Sequence, residues 1–290
     1  MNDRVPNALH RSVVKIPSGS ISYIDQGSGP PVILLHGAPM TSIGFVRVIQ
    51  GLEAKYRVIA PDMPGFGMSV GANGFSYSLQ DYSRFVAEFL DAIDVRDAIL
   101  FVNDSSGCIG LHATPAIAAR LRGVVVSDTV SLPIRGLATP VRWILSRVMG
   151  SAIMRQLNRR TNLLAWMVAT LAPMWRPFNR DQRRAMTSQF DTGEKRDRIL
   201  DVFKQMGRDA DFMQAAAERA EQALRGKPAL ILFGQFDPMR FVGSIGRFKE
   251  LFKQNQVAII PLEEHFPILG SGGRIAAEID RFITSLSKES

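Results

Sequence analysis

Ala98-Ile99-Leu100-Phe101-Val102-Asn103-Asp104-Ser105-Ser106-Gly107-Cys108-Ile109-Gly110-Leu111 reads as a buried strand running straight into a helix. Ala98–Val102 is a short, unbroken apolar run, the pattern of a parallel strand covered on both faces. The run breaks at Asn103, and the next helix is expected over Cys108–Leu121. A strand that turns sharply into a helix holds one side chain strained and exposed at the top of a sheet. Small residues must flank it, because strand and helix approach closely there. The first N–H groups of the helix add an anion site beside it. Asp104 and Ser105 are the two candidates for that exposed, nucleophilic position.

Working outward, the same alternation of strand and helix recurs on both sides. Ser12–Ile16 and Ser20–Asp25 read as a hairpin around Ser18-Gly19. Pro31–Leu35 is a second buried strand and ends in His36-Gly37-Ala38-Pro39. A Gly followed closely by Pro fixes a tight loop whose N–H groups point into a pocket and stabilise developing negative charge. Arg57–Ala60 is a third strand, closed by Pro61-Asp62-Met63-Pro64-Gly65. Leu79–Ile93 is a helix with Tyr82, Phe85, Val86, Phe89 and Leu90 on one face. Gly123–Ser127 is a further strand.

From Leu132 to about Leu224 strand signals vanish, and the segment reads as several helices carrying Trp143, Trp166 and Trp175 among arginines. The rhythm then returns with strand Ala229–Phe233, a helix near Phe241–Phe252, strand Val257–Ile260 and a last helix Arg274–Ser285. The expected fold class is therefore α/β: a mostly parallel central sheet flanked by helices, with an inserted helical cap. Residues 1–131 and 225–290 form the core domain in this reading, and 132–224 the cap. Such a cap sits over the C-terminal ends of the strands, where open α/β sheets hold their ligands.

Two strand ends in the second half carry further chemistry. Gly234-Gln235-Phe236-Asp237-Pro238 follows one strand, and Glu264-His265-Phe266 follows the last. His265 works as a base through one ring nitrogen when a carboxylate orients the other. Asp237 is the expected partner, with Asp128 after strand Gly123–Ser127 as the alternative. The order nucleophile, acid, histidine is the one this architecture uses. His10 and His112 lack acidic or cysteine companions and read as structural, Cys108 reads as a core residue, and His36, Gly37 and Pro39 support the loop of Ala38.

Composition limits the rest. The chain of 290 residues carries a net charge of +8. Between Leu132 and Lys227 there are 18 lysines and arginines against 9 acidic residues, so the remainder is nearly neutral. This basicity suits solvated outer faces of the insertion or attraction of an anionic substrate. No nucleic-acid motif accompanies it, and no apolar run reaches the ~20 residues of a membrane span. Met1–Lys15 lacks the apolar core of a signal peptide. A single cysteine excludes an internal disulfide and suits the cytoplasm. No metal cluster, phosphate loop or dinucleotide pattern is present, so neither a metal nor a cofactor is expected. The expected partner is a small-molecule substrate, for a monomer or a homodimer.

Taken together, His36-Gly37-Ala38-Pro39, Pro61 to Gly67, the Asp104 turn, Phe233-Gly234 to Pro238 and His265 resemble the α/β-hydrolases. More narrowly, they resemble the branch of haloalkane dehalogenases and epoxide hydrolases. The resemblance covers roughly Ser12–Thr129 and Lys227–Ser285. It implies a catalytic Asp104, His265 and Asp237, with the amides of Ala38 and Ser105 as oxyanion hole. Some relatives place the acid at the position of Asp128. Members with an aspartate nucleophile have a Val-like residue two before it, which Val102 matches, and the helix Gly107 to Leu111 aligns in that register. With Ser105 as nucleophile the flanks are Asn103 and Gly107, and the chemistry becomes that of a serine esterase or lactonase. A hydrolase-fold binding protein or non-hydrolytic lyase is the third reading. Two departures stand out: related dehalogenases carry Trp after the nucleophile and often Asn in the oxyanion loop, where this chain has Ser105 and Ala38. Epoxide hydrolases of the branch use cap tyrosines, whereas Tyr23, Tyr56, Tyr77 and Tyr82 all precede the cap.

Overall fold

The computed structural model describes residues 9–129, 146–171 and 177–287. Trp143 and Trp175 lie outside these residues. Nine strands form one sheet: β1 (Arg11–Ile16), β2 (Gly19–Gln26), β3 (Pro31–Leu35), β4 (Arg57–Pro61), β5 (Val70–Gly71), β6 (Ala98–Asn103), β7 (Leu121–Ser127), β8 (Ala229–Gly234) and β9 (Asn255–Ile260). The order is β1-β2-β4-β3-β6-β7-β8-β9, with β5 beside β2. β1, β2 and β4 pair antiparallel, and every pair from β4 through β9 is parallel. The residues of β6 and β8 are buried throughout, as expected for central strands covered by helices on both faces.

The helices between the strands of the first half are α1 (Val46–Leu52), α2 (Leu79–Ala92) and α3 (Ser105–Ile117). Those from 152 onward are α4 (Ala152–Thr161), α5 (Leu163–Leu171), α6 (Arg180–Thr187), α7 (Gly193–Arg208) and α8 (Ala210–Ala223). α9 (Ser244–Leu251) and α10 (Gly272–Leu286) complete the chain. α2 starts where Ser78 Oγ accepts the Asp81 N–H, and it buries Tyr82, Phe85, Val86, Phe89 and Leu90, the face read from the sequence. On this side of the sheet lies one apolar core. α1 and α10 pack together on the other side, over a second core that includes Val48, Ile49, Ile275 and Ile279.

The helix expected over Cys108–Leu121 begins three residues earlier and ends four residues sooner, since Leu121 opens β7. Ser105, Ser106 and Gly107 are weak helix formers, yet the sharp exit from β6 forces the first turn onto them. Among the described residues of 132–224, every regular element is a helix. Its last helix, α8, packs along α3 of the sheet domain, with Phe212 stacked on the His112 ring at 4.2 Å. Among the described residues no helix is long and apolar enough to cross a membrane.

Candidate active site

Asp104 occupies the turn between β6 and α3 with φ 52° and ψ −127°, backbone that an L-residue adopts only under strain. Thr129, Gly107 and Ser106 hold it there. Thr129 Oγ1 donates to the Asp104 carbonyl at 2.6 Å, and the Gly107 N–H bonds the same oxygen at 3.0 Å. Ser106 Oγ accepts from the Asn103 N–H and donates toward Leu35 O, each at 2.8 Å, tying the turn to the end of β3. Two glycines admit the close approach. A Cβ on Gly107 would stand 2.0 Å from Thr129 Oγ1, and one on Gly37 would stand 2.4 Å from Asp104 Oδ1.

The residues singled out in the sequence converge on this turn. His265 Nε2 lies 3.1 Å from Asp104 Oδ2, and its Nδ1 lies 3.0 Å from Asp237 Oδ1. The Ala38 N–H reaches Asp104 Oδ1 at 3.1 Å and Ser105 Oγ at 2.9 Å. Ser105 thus turns its hydroxyl to the loop of Ala38, while the histidine faces Asp104. As first residue of α3, Ser105 also offers one of the free N–H groups of a helix start.

The charges follow from this geometry. Burial opposes protonation of His265, but hydrogen bonds and charge from Asp104 and Asp237 outweigh it and raise its pKa well above the usual value. Burial would likewise raise Asp237, yet the bond to His265 and its charge hold that carboxyl below the usual range. Both contacts favour the protonated ring of His265.

Asp128 lies fully buried next to Asp237, accepting the Gly234 N–H at 2.8 Å and the Ser127 hydroxyl at 2.6 Å. Burial and then the neighbouring Asp237 charge raise its pKa far above the carboxylate range, so it stays a neutral acid. His36 supports the loop: its Nε2 accepts the Met63 N–H at 3.0 Å, so Nδ1 carries the proton to Gly37 O at 3.0 Å. Burial keeps its pKa low. Pro39 follows through a cis peptide bond.

Beneath the turn, Cys108 donates to Ser105 O, and burial pushes its thiol up to about 12. His112, stacked on Phe212 and bonded to Ser83, packs away from the turn. Sequence reasoning missed the residues that approach the site from the α6 side, Gln182, Gln189 and Phe190. Polar side chains on a short helix carry no periodic signal that separates a docked face from a solvated one.

The strained turn, the facing histidine and the strand order are those of one architecture, and residues 30–271 match the α/β-hydrolase-fold family. The chain belongs to that family. It is an enzyme of the hydrolase type, and within this family it resembles haloalkane dehalogenases. It is 29% identical over 266 residues to haloalkane dehalogenase 2 of Mycobacterium tuberculosis, covering 91% of this chain and 92% of the relative. A cis-3-alkyl-4-alkyloxetan-2-one decarboxylase of Shewanella oneidensis is 26% identical, over 59% of this chain and 58% of the relative. Among solved structures, a mutant of the haloalkane dehalogenase DatA from Agrobacterium tumefaciens superposes with a TM-score of 0.83 at 20% identity. That match covers 96% of this chain and 98% of the other. The haloalkane dehalogenase DbeA from Bradyrhizobium elkani gives 0.80 at 20% identity, over 98% and 99%. At those identities the structural likeness speaks to the α/β-hydrolase fold.

Proposed function

We propose that this α/β-hydrolase acts on a small, moderately apolar molecule through a covalent ester on Asp104, the chemistry suggested by its dehalogenase relatives. The observation that carries the reading is the pairing of His265 Nε2 with Asp104 Oδ2, while Ser105 Oγ is spent on the Ala38 N–H. That register supports Asp104 as nucleophile over Ser105. Asp237 is the orienting acid in this reading, and buried, neutral Asp128 is its neighbour rather than its substitute.

The Asp104 carboxylate attacks an sp³ carbon, and the bonding pair of the breaking bond leaves with the halide. Esterification removes the Asp104 charge, one of the two that hold the His265 proton. His265 then releases that proton to solvent and becomes a base when a base is needed. It takes a proton from water as the oxygen attacks the Asp104 carbonyl carbon. The amides of Ala38 and Ser105 hold the oxyanion. Collapse re-forms the C=O bond and expels the alkoxide, which takes the proton from His265. The Asp104 carboxylic acid left behind passes its own proton to His265, leaving an alcohol and the free carboxylate.

The donors that relatives offer to the halide are absent at Ser105 and Ala38, so displacement leans on the leaving group itself. Rates falling steeply from iodide through bromide to chloride are the expected outcome. The segment 132–224 serves as the cap that shapes the pocket, and a single buried thiol suits the cytoplasm. Trapping decides the chemistry: His265→Ala, incubated with haloalkanes, epoxides and esters, should accumulate an alkyl ester on Asp104 visible by peptide mass spectrometry. An acyl group on Ser105 would move the enzyme to the serine esterases and lactonases. The likeness to the oxetanone decarboxylase supports a second reading, a lyase for a strained ring; release of CO2 from such a ring, with no adduct from haloalkanes, would favour it.

A further inference from the structure

Residues 178–190 run across the top of the sheet and touch both loops that carry the site. At one end, Phe178 packs edge-on against Phe266 at 6.2 Å, and Phe266 lies against the His265 ring at 4.8 Å. Gln182 Nε2 donates to Leu269 O at 3.0 Å, four residues after His265. The same amide caps its own helix, since Gln182 Oε1 accepts the Asn179 N–H at 2.9 Å, so its orientation is fixed. Met186 is fully buried one turn on. Two residues past the end of α6, Gln189 Nε2 donates to Pro39 O at 3.0 Å. Phe190 meets Phe66 edge-on at 6.0 Å, and Phe66 meets the His36 ring at 5.5 Å.

One end of the segment thus grips the loop of His265, and the other grips the loop of Ala38. Ala38 and His265 are the two groups that meet at Asp104. Gln189 pays for its grip with Oε1 buried and unpartnered among the described residues. An amide kept at that cost is held for its donor.

We propose that residues 178–190 form a strap that sets the spacing between the oxyanion donor Ala38 and the base His265, with Gln189 and Gln182 as its positioning residues. The catalytic part of this proposal rests on the Asp104 ester reading. Attack of the nucleophile on carbon needs neither group in register, whereas hydrolysis of the ester needs both at once. A loosened strap therefore slows the second half-reaction and spares the first.

The test uses Gln189→Met, which keeps volume and loses the donor, and Gln182→Glu, which keeps the helix cap and loses the donor to Leu269 O. Arg184→Ala, on the exposed face of α6, is the control. Hydrogen exchange is read first because it does not depend on the reaction. Gln189→Met should deprotect peptides spanning 36–45 and Gln182→Glu those spanning 264–271, each leaving the other loop unchanged. Unchanged exchange at both loops, or uniform loosening of the whole chain, overturns the strap. Single-turnover kinetics with a bromoalkane come second. Ester hydrolysis should fall about 10- to 100-fold, the cost of misplacing reacting groups by about 1 Å, while ester formation stays within about threefold. Equal loss in both steps assigns the residues a merely structural role and overturns the catalytic claim. If His265→Ala never yields an Asp104 ester, the Asp104 reading itself has failed, and the strap stands or falls on the exchange result alone.

Discussion

Asp104, His265, Asp237 and Asp128 share protons as a set, and each substitution tests a different part of that set. Asp104→Ala should abolish turnover, by 1,000-fold or more on the order expected for loss of a covalent nucleophile. Gly37→Ala should cost about 100-fold, because its Cβ would stand 2.4 Å from Asp104 Oδ1 and 2.8 Å from the Asn103 carbonyl oxygen, displacing the carboxylate from His265 together with the turn that carries it. Circular dichroism beside the rate measurement separates that from unfolding. For Asp128 the sign is explicit. Its folded pKa is raised, so the folded chain holds a proton that the unfolded chain releases above about pH 3.9. Stability is therefore lost as pH rises from there toward the folded pKa. Asp128→Asn keeps the acceptor for Gly234 and should be more stable than wild type at pH 8. The two should unfold alike at pH 3, and activity should stay within about threefold; a large loss would make Asp128 the working acid. His265 runs the other way in charge. Its raised pKa contributes stability that is complete below about pH 6.5 and fades as pH climbs through the folded value. The gap in melting temperature between wild type and His265→Gln should accordingly narrow between pH 6 and pH 10.

At the level of elements, the packing of α8 on α3 makes the end of the 132–224 segment energetically part of the sheet domain. Phe212, buried against His112, should behave as a core residue: Phe212→Ala is expected to lose about 3–5 kcal/mol in urea unfolding. A loss below 1 kcal/mol would mean that α8 moves with the other inserted helices. What the sequence disclosed and withheld divides along the same physical lines. β3, β6 and β8 were legible because a strand buried on both faces must be an unbroken apolar run, and Pro31–Leu35 needed no adjustment. Asp104, Ala38 and Asp237 were legible because each follows such a strand, whereas His265 follows β9, an edge strand that is only partly buried and gives a weaker pattern. The start of α3 was not legible, since Ser105-Ser106-Gly107 has the composition of a turn and becomes helical only under the constraint of the strand exit. The strap was invisible for a different reason. Gln182 and Gln189 dock by donating to carbonyls of residues 87 and 150 positions away, and no local pattern encodes a partner so distant.

Across the whole molecule, the insertion does not divide the sheet. β7 and β8 pair directly although some hundred residues separate them, and Tyr56 and Lys55 both bond Asp280 near the other end of the chain. A core closed by such distant contacts has few ways to open in part, so the two sequence halves should unfold together. Within the inserted helices, Asp197 and Asp201 bind Arg155, Arg159 and Arg198, so part of the mid-chain basicity is neutralised internally. Cys108 offers a probe of that cooperativity. It is the one cysteine, buried beneath the Asp104 turn with its thiol pushed up to about 12, so an aromatic disulfide reagent can reach a thiolate only after the surroundings open. If opening is global, the modification rate at fixed reagent should follow the unfolding equilibrium, and Phe212→Ala should accelerate it by more than about 100-fold, the equivalent of about 3 kcal/mol. Rapid modification of the wild-type chain, insensitive to Phe212, would instead mean that α3 detaches by itself; the turn that strains Asp104 would then be the weakest part of the core rather than one of its most constrained.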